Sequence, residues 1–438
     1  MLQVPIPTAP TTVIAAPRRW QAILVDDLRR QALDTARTIA ESLESLSVEE
    51  PSLANGAAGL AVSFAYFGEG LAEPKYMEMA RRLLDRALAL AQAEPMAPSL
   101  YSGLAGIGWT ASRLSTRLHW SDLEDTLTEI DEAIHEDLNV PEWKDDYGLG
   151  GGLTGLGVYA LERLGSGNDA ARPIATMCLV RIIDLLAATA EYKPEGAAWW
   201  RGPERLSLHA RKKMPDGSYS VGMEDGVPGV VAFLARACAA GVAVDRARPL
   251  LDDAARWVLA QEAPDGPPEG FPYAIRPNKP QRNWTRSSWA FGDPGVAAAL
   301  LAAGRCVGEP AWEERAITAA LRATTRPPDR TRIFDAGLAI GAAGLAHVFN
   351  RLYQATGESR LVERSRFWFS RALEMRRPGQ GIAGYASWMP DENDAERWWD
   401  APGIIYGAAG IALALLSAAT EVEPSWDNMM LLDVPPGS

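Results

Sequence analysis

Three ionisable residues lie just before apolar, helix-forming segments, where they could carry out chemistry. Arg286 lies in "RSSWAFGDPG" among uncharged residues, and Glu224 and Asp225 come directly before "GVPGVVAFLARA". An arginine beside the free N–H groups of a helix N-terminus can stabilise an anion. A neighbouring carboxyl group can transfer a proton, although Asp225 is equally well placed to cap its helix. Arg286, Asp225 and Glu224 are therefore the candidate catalytic residues.

Aromatic residues are concentrated in the same connecting segments. The chain has 15 tryptophans, and several of them stand in "GAAWWRG", "QRNWTRSSW" and "ERWWDAPG". An aromatic rim can bind a substrate, or it can brace long loops against the rest of the protein. The candidate substrate-binding residues are Tyr101, Tyr147, Trp199, Trp200, Trp284, Trp289, Phe291, Trp398 and Trp399.

A short motif, Gly-x-x-Gly followed by small and apolar residues, repeats along the chain. Its seven copies begin at Gly56, Gly103, Gly152, Gly226, Gly292, Gly341 and Gly407. Amphipathic segments with helical spacing separate the copies, for example "PKYMEMARRLLDRALALAQA". Each unit therefore reads as one amphipathic helix, a loop, and one helix that is apolar on nearly every side.

The polarity of these helices predicts an all-α fold. A helix that is apolar all round must be buried, whereas an amphipathic helix can lie outside it. Seven such pairs that close on themselves give an α/α toroid with about seven inner and seven outer helices. An open solenoid is the alternative, but the irregular spacing and the lack of distinct capping repeats favour the toroid. We expect a flexible arm over 1–19, one toroid domain over 20–421 and a C-terminal tail over 422–438.

The net charge, the length of the apolar runs and the cysteine count limit which partners and which compartment are compatible with the chain. The net charge of −13 argues against a nucleic acid or an anionic membrane, and it is compatible with a cationic or peptide substrate. No apolar run is long enough to span a bilayer. Three widely spaced cysteines do not suggest a disulfide framework, which fits the cytoplasm.

The repeated motifs resemble those of the lanthionine synthetase C-like family from about Gly56 to Leu416. The matching pieces are "SLYSGLAGIGW", "DGVPG", "SSWAFGDPG" and "LAIGAAGLAH". The resemblance implies an α/α toroid that closes thioether rings in ribosomally made peptides. In the family, a zinc ion at the mouth of the toroid activates a peptide cysteine. The thiolate then adds to dehydroalanine or dehydrobutyrine, and the resulting enolate is protonated.

This chain departs from the family pattern at the zinc site. The family's three zinc ligands, two cysteines and a histidine, fall on Ala290, Ala339 and Ile340. The family's histidine before the fourth inner helix falls on Asp225, and a catalytic aspartate falls on Gly148. Arg286 matches the family's active-site arginine. Because methyl and butyl groups cannot bind zinc, we expect no metal and no other cofactor at this site.

Three functions are compatible with these features. The first is a zinc-independent cyclase that acts on a dehydrated precursor peptide. The second is a non-catalytic partner that holds the precursor peptide for a kinase, a lyase or another modifying enzyme. The third, and least favoured, is a carbohydrate-active toroid that uses Asp225 with Asp293 or Asp400 as paired carboxylates. The sequence favours a role in peptide modification, of either kind.

Overall fold

The computed structural model describes residues 19–263, 270–276, 285–390 and 395–435. The flexible arm predicted over 1–19 lies outside the described residues except for Arg19. The described helices are α1 (Asp26–Glu44), α2 (Ala57–Gly70), α3 (Lys75–Ala93), α4 (Leu104–Leu118), α5 (Glu124–Leu138), α6 (Leu153–Gly165), α7 (Arg172–Thr189), α8 (Leu208–Lys213), α9 (Val227–Ala239), α10 (Val244–Ala260), α11 (Asp293–Val307), α12 (Pro310–Thr325), α13 (Ala342–Thr356), α14 (Ser359–Glu374) and α15 (Ala408–Ala419).

Short strands occupy the long connections between the helices. They are β1 (Glu191–Lys193), β2 (Gly196–Ala198), β3 (Trp200–Arg201), β4 (Ser218–Ser220), β5 (Ala274–Ile275), β6 (Ser387–Pro390) and β7 (Glu396–Trp399). They form three small antiparallel sheets, β1-β2, β3-β4-β5 and β6-β7. The helices therefore build the domain, and the strands shape the loops at one of its ends.

The glycine repeats build the inner ring, as predicted. The inner helices of the described chain are α2, α4, α6, α9, α11, α13 and α15, and each begins directly after the first glycine of its repeat. Every residue of α15 is buried. The second glycine lets the helix start against the loop before it: an added Cβ at Gly344 would lie 1.5 Å from Leu338 O, and one at Gly106 would lie 1.9 Å from Leu100 O. A larger residue there would have to displace backbone.

The ring is closed, so the toroid prediction is confirmed and the open solenoid is not observed. The loops before neighbouring inner helices are joined by backbone hydrogen bonds around the whole circle. These are Ala54 N to Tyr101 O, Tyr101 N to Gly150 O, Leu149 N to Glu224 O, Met223 N to Ala290 O, Ala290 N to Ala339 O, Ala339 N to Ile405 O and Ile404 N to Ala54 O. We call this end of the ring, where the inner helices begin, the mouth.

The outer helices cover the inner ring pairwise. Six inner helices pack against the outer helix that follows them, and the last inner helix, α15, packs against α1. The N–H groups of Ile23 and Leu24 both donate to Ala418 O, at 2.8 and 2.9 Å. The first outer helix and the last inner helix are thereby fixed to each other, which completes the outer layer.

The residues after α15 turn back into the centre of the ring. Trp426, Asp427, Met429 and Met430 are at most 1% exposed. The Asp427 carboxylate accepts hydrogen bonds from Arg351 Nε at 2.6 Å and pairs with His347 Nε2 at 2.7 Å. The packed domain therefore continues past 421, through the described part of the segment predicted as a tail. The glycine repeat ends before this segment, so the repeat alone could not indicate where it packs.

The described helices contain none that is both long and apolar enough to cross a membrane. All three cysteines, Cys178, Cys238 and Cys306, are free thiols.

Candidate functional site

Glu224 lies at the mouth, just before the fourth inner helix, and is tied to the seventh repeat. The hydroxyl of Tyr406 donates to Glu224 Oε1 at 2.7 Å. Repeats four and seven lie at least three steps apart around the ring, so this hydrogen bond spans the mouth. The backbone oxygen of Glu224 accepts from Leu149 N, which fixes its loop in the ring. A carboxyl group and a phenol are thus held together inside the mouth.

The surroundings of Glu224 favour its protonated form. The residue is 8% exposed. Burial raises the pKa of Glu224 to about 8, and the neighbouring Asp225 charge adds to this effect against the opposing hydrogen bond from Tyr406. Burial also raises the pKa of Tyr406 well above its ordinary value. At neutral pH both groups carry a proton, as a proton donor requires.

Asp225 has a different environment from its neighbour Glu224. Its carboxylate pairs with Arg201 Nη1 at 2.9 Å and remains about one-third exposed. Arg201 also donates to Asp146 Oδ2 at 2.6 Å, so two acids share one buried guanidinium. Asp225 therefore belongs to an ion-pair network that reaches the surface of the mouth, and the structure does not use its side chain as a simple helix cap.

Arg286 is held by aromatic rings and not by acids. Its guanidinium lies 5.2 Å from the ring centre of Phe334 and 5.3 Å from that of Trp388. Within the described chain it makes no hydrogen bond or ion pair. Burial lowers the pKa of Arg286 to about 10, while the nearby Asp335 opposes this shift. The side chain remains a cation at neutral pH and is available to bind an anion.

Asp335 positions the aromatic residues around Arg286. Its carboxylate accepts from Trp388 N at 2.8 Å and from Gly337 N at 3.0 Å. Burial raises the pKa of Asp335 above its ordinary range. Its hydrogen bonds hold the β6 backbone to the loop before α13, which keeps the Trp388 ring against Arg286.

At the positions that the resemblance assigns to zinc ligands, the side chains have no atom that can bind a metal. Ala290 and Ala339 are fully buried and are joined by a backbone hydrogen bond, and Ile340 follows Ala339 directly. No group of three His, Cys, Asp or Glu residues suited to a metal occurs in the ranges that the structure describes. A zinc ion bound by sulfur and imidazole ligands does not fit these residues.

The predicted aromatic residues divide into a buried and an accessible group. Tyr101, Tyr147, Trp199 and Trp289 are at most 6% exposed. Trp289 Nε1 donates to Met430 O at 3.0 Å and Trp199 Nε1 to Leu186 O at 3.0 Å, so these rings brace the protein interior. The accessible group is Trp200, Phe291, Trp398 and Trp399. Trp284 lies outside the described residues.

The carboxylate of Asp293 is fully engaged in the structure. It accepts from Phe271 N at 2.9 Å and from Arg322 Nε at 2.8 Å. Asp293 is therefore a poor partner for Asp225 in a glycosidase pair, which removes one of the two pairs that the carbohydrate hypothesis needs.

Sequence reasoning missed Tyr406 and Arg201. Tyr406 stands directly before the last repeat glycine, in the position that Asp225 occupies in the fourth repeat. Aligning the residues before each repeat glycine would have selected it. Arg201 follows the paired tryptophans of "GAAWWRG", but its acidic partners lie at other points of the sequence, so no local signal identifies them.

Comparisons with known proteins agree with this architecture. The family model described as "Lanthionine synthetase C-like protein" matches residues 47–431. Among solved structures, nisin cyclase superposes with a TM-score of 0.71 over 91% of this chain and 96% of that chain, at 17% sequence identity. At this identity the likeness concerns the fold. No curated protein sequence matches the chain.

Proposed function

Since the chain belongs to the lanthionine synthetase C-like family, we propose that it modifies a ribosomally made precursor peptide as a zinc-independent cyclase. The observation that supports this most is Arg286, a half-buried cation without an ionic partner in the described chain. It stands where the resemblance places the family's active-site arginine. The substrate is a dehydrated peptide with a free cysteine. Its reaction takes place in the cytoplasm, together with the kinase, lyase or other enzyme that dehydrates the peptide.

In the proposed reaction, each of three side chains at the mouth has a separate role. Asp225 accepts the proton of the peptide thiol, while the N-termini of the inner helices favour the thiolate. The thiolate forms a C–S bond to the β-carbon of the dehydroamino acid, and the electrons of the C=C bond move to the carbonyl oxygen. Arg286 stabilises this enolate. Glu224, which holds a proton at neutral pH, protonates the α-carbon. The proton taken by Asp225 then passes through solvent to Glu224, which restores both groups.

No step of this reaction passes through a metal. Zinc in the family lowers the pKa of the thiol, and in this chain the positive ends of the helices and Arg286 provide a weaker form of the same stabilisation. We therefore expect slow turnover and a rate that rises with the fraction of peptide thiolate. In this mechanism the carboxyl groups of Asp225 and Glu224 transfer protons and do not bind a metal.

A non-catalytic role as a peptide-binding partner is the second candidate. It is favoured by the apolar residues Ala290, Ala339 and Ile340 at positions where a catalyst of this family carries zinc ligands. In this role the mouth would hold the precursor peptide while other enzymes act on it. Both candidates require peptide binding, and they differ in whether the ring closes faster.

The test is ring closure on a dehydrated precursor with one cysteine. Loss of free thiol is followed by alkylation and mass spectrometry, with native protein, with Arg286→Ala and with no protein. The proposal predicts acceleration by the native protein and loss of that acceleration in Arg286→Ala. Equal rates in all three samples, combined with tight peptide binding, would instead support the non-catalytic role.

A further inference from the structure

A cavity of about 670 Å³ opens on the mouth side of the ring, outside the circle of inner helices. It lies between the segment that follows α1 and the connection from α14 to α15. Outer helices run opposite to inner ones, so the C-terminal end of α1 and the N-terminal end of α15 both belong to the mouth. We call this cavity the rim groove. Its lining includes Leu46, Val48, Glu49, Glu50, Trp399 and Asp400.

The chemistry of the rim groove is apolar and acidic. Leu46 is 41% exposed and Trp399 is 39% exposed, so both side chains can contact a ligand in the groove. Three carboxylates line the groove, and its lining includes no lysine, arginine or histidine. Glu49 pairs with Arg86 at its outer side, but Asp400 makes no ion pair within the described chain. The groove therefore suits a ligand with apolar and cationic groups.

The wall nearest the mouth carries an unused acceptor. Asn55 lines the groove, and its Oδ1 is buried without a hydrogen-bond partner in the described chain. The oxygen lies against Gly403, and rotation of the Asn55 side chain toward the groove would let a peptide N–H or an ammonium group donate to it. With that rotation the groove gains a polar contact beside its apolar wall, as peptide-binding clefts have.

The rim groove and the candidate site share the chain segment before α15. Asn55 packs against Gly403, and the neighbouring Ile404 N donates to Ala54 O at 2.9 Å, which joins the first and last repeats. Two residues further along the chain, Tyr406 donates to Glu224. The segment before α15 therefore carries both a wall of the groove and one partner of the Tyr406–Glu224 pair.

We propose that the rim groove binds a lysine- or arginine-containing apolar segment of the precursor peptide and thereby directs the reactive residues into the mouth. The inference rests on the proposed peptide function and adds where, outside the reaction centre, the peptide is held. Charge complementarity supports it, because the groove is acidic within a chain of net charge −13. Binding through Trp399 and Asp400 then sets peptide affinity, while Glu224 and Arg286 set the rate of the bound complex.

The test uses two fluorescein-labelled synthetic peptides of the same length, one of lysine, leucine and phenylalanine and one with each lysine replaced by glutamate. Fluorescence anisotropy measures their binding to native protein, Trp399→Ser and Asp400→Lys. The matched controls are Tyr192→Ser, an aromatic residue that is 62% exposed and does not line the groove, and Glu421→Lys, an exposed acid after α15 at the opposite end of the ring.

The cationic peptide should bind native protein and weaken with salt, and the acidic peptide should not bind. Each groove variant should raise the dissociation constant about tenfold, which corresponds to about 1.4 kcal/mol, while the controls stay within about twofold. Equal binding of both peptides, or equal losses in the groove and control variants, would overturn the proposal.

Ring-closure kinetics separate this inference from the proposed function. If both are correct, the groove variants raise KM for a lysine-containing dehydrated precursor and keep kcat, whereas Arg286→Ala lowers kcat. If Arg286→Ala has no effect on ring closure but the groove variants lose the cationic peptide, the cyclase proposal fails and the docking proposal stands. If ring closure needs Arg286 but the groove variants bind like native protein, only the docking proposal fails.

Discussion

Replacing Glu224 with glutamine should change how the stability of the protein depends on pH. Burial raises the pKa of Glu224 from its ordinary 4.5 to about 8. Between these values the folded protein holds a proton that the unfolded chain has lost, so the free energy of unfolding falls as pH rises. Stability from this group is fully present below pH 4.5, declines between pH 4.5 and pH 8, and is gone above pH 8. Glu224→Gln has no titrating group at this position, so its free energy of unfolding does not fall with pH for this reason.

The size of the effect follows from the same two values. Each pKa unit corresponds to about 1.36 kcal/mol, and most of the window lies between about pH 5.5 and pH 8. The stability of Glu224→Gln relative to native protein should therefore rise by about 3 kcal/mol over that range. The prediction concerns how the difference in free energy of unfolding changes with pH. Any pH-independent cost of burying the amide therefore cancels.

The measurement is urea unfolding of native protein and Glu224→Gln at a series of pH values across this window, with refolding checked at each. Glu78→Gln, which removes an exposed acid on α3, controls for the loss of a surface charge. A constant difference between native protein and Glu224→Gln at every pH would refute the reasoning. Glu224 would then be ionised in the folded protein and could not donate the proton to the enolate.

Three further predictions concern the same architecture. Tyr406→Phe removes a hydrogen bond that favours the ionised form of Glu224, so the loss of ring-closure rate at alkaline pH should move to higher pH; an unchanged pH profile would contradict this. Asp427→Ala leaves the buried Arg351 guanidinium without its carboxylate partner and should cost about 3–5 kcal/mol of stability by thermal or urea unfolding, whereas a loss below about 1 kcal/mol would show that the segment is loosely held. Gly344→Ala should strongly lower the melting temperature, because its Cβ would lie 1.5 Å from the carbonyl oxygen of Leu338. Gly151→Ala should leave the melting temperature unchanged, because no atom lies within 4 Å of the added Cβ. Similar melting temperatures for the two variants would refute the close-approach argument.

The ring could be predicted from the sequence because its cause is local and repeated. Each Gly-x-x-Gly marks a helix that begins against its own loop, and the apolar run behind it marks a buried helix. The family resemblance rests on the same motifs, so it covers the same part of the chain. Arg286 and Glu224 could be selected because they stand beside these motifs.

The contacts that complete the site could not be predicted in this way. The Tyr406–Glu224 hydrogen bond joins residues 182 positions apart, and only closure of the ring brings them together. The burial of Trp289 depends on a segment after the last repeat, whose Met430 oxygen accepts its indole N–H. Before that segment is placed, a tryptophan at the mouth looks the same whether it binds a substrate or braces the interior.

The central claim is that the mouth closes thioether rings without zinc, and metal-free kinetics test it most directly. The protein is treated with a chelator, its zinc content is measured, and ring closure of a dehydrated, cysteine-containing precursor is compared with and without added zinc and with Arg286→Ala. We expect acceleration by the zinc-free protein, no gain from added zinc and loss of acceleration in the variant. Stoichiometric zinc that restores a rate absent from the chelated protein would contradict it.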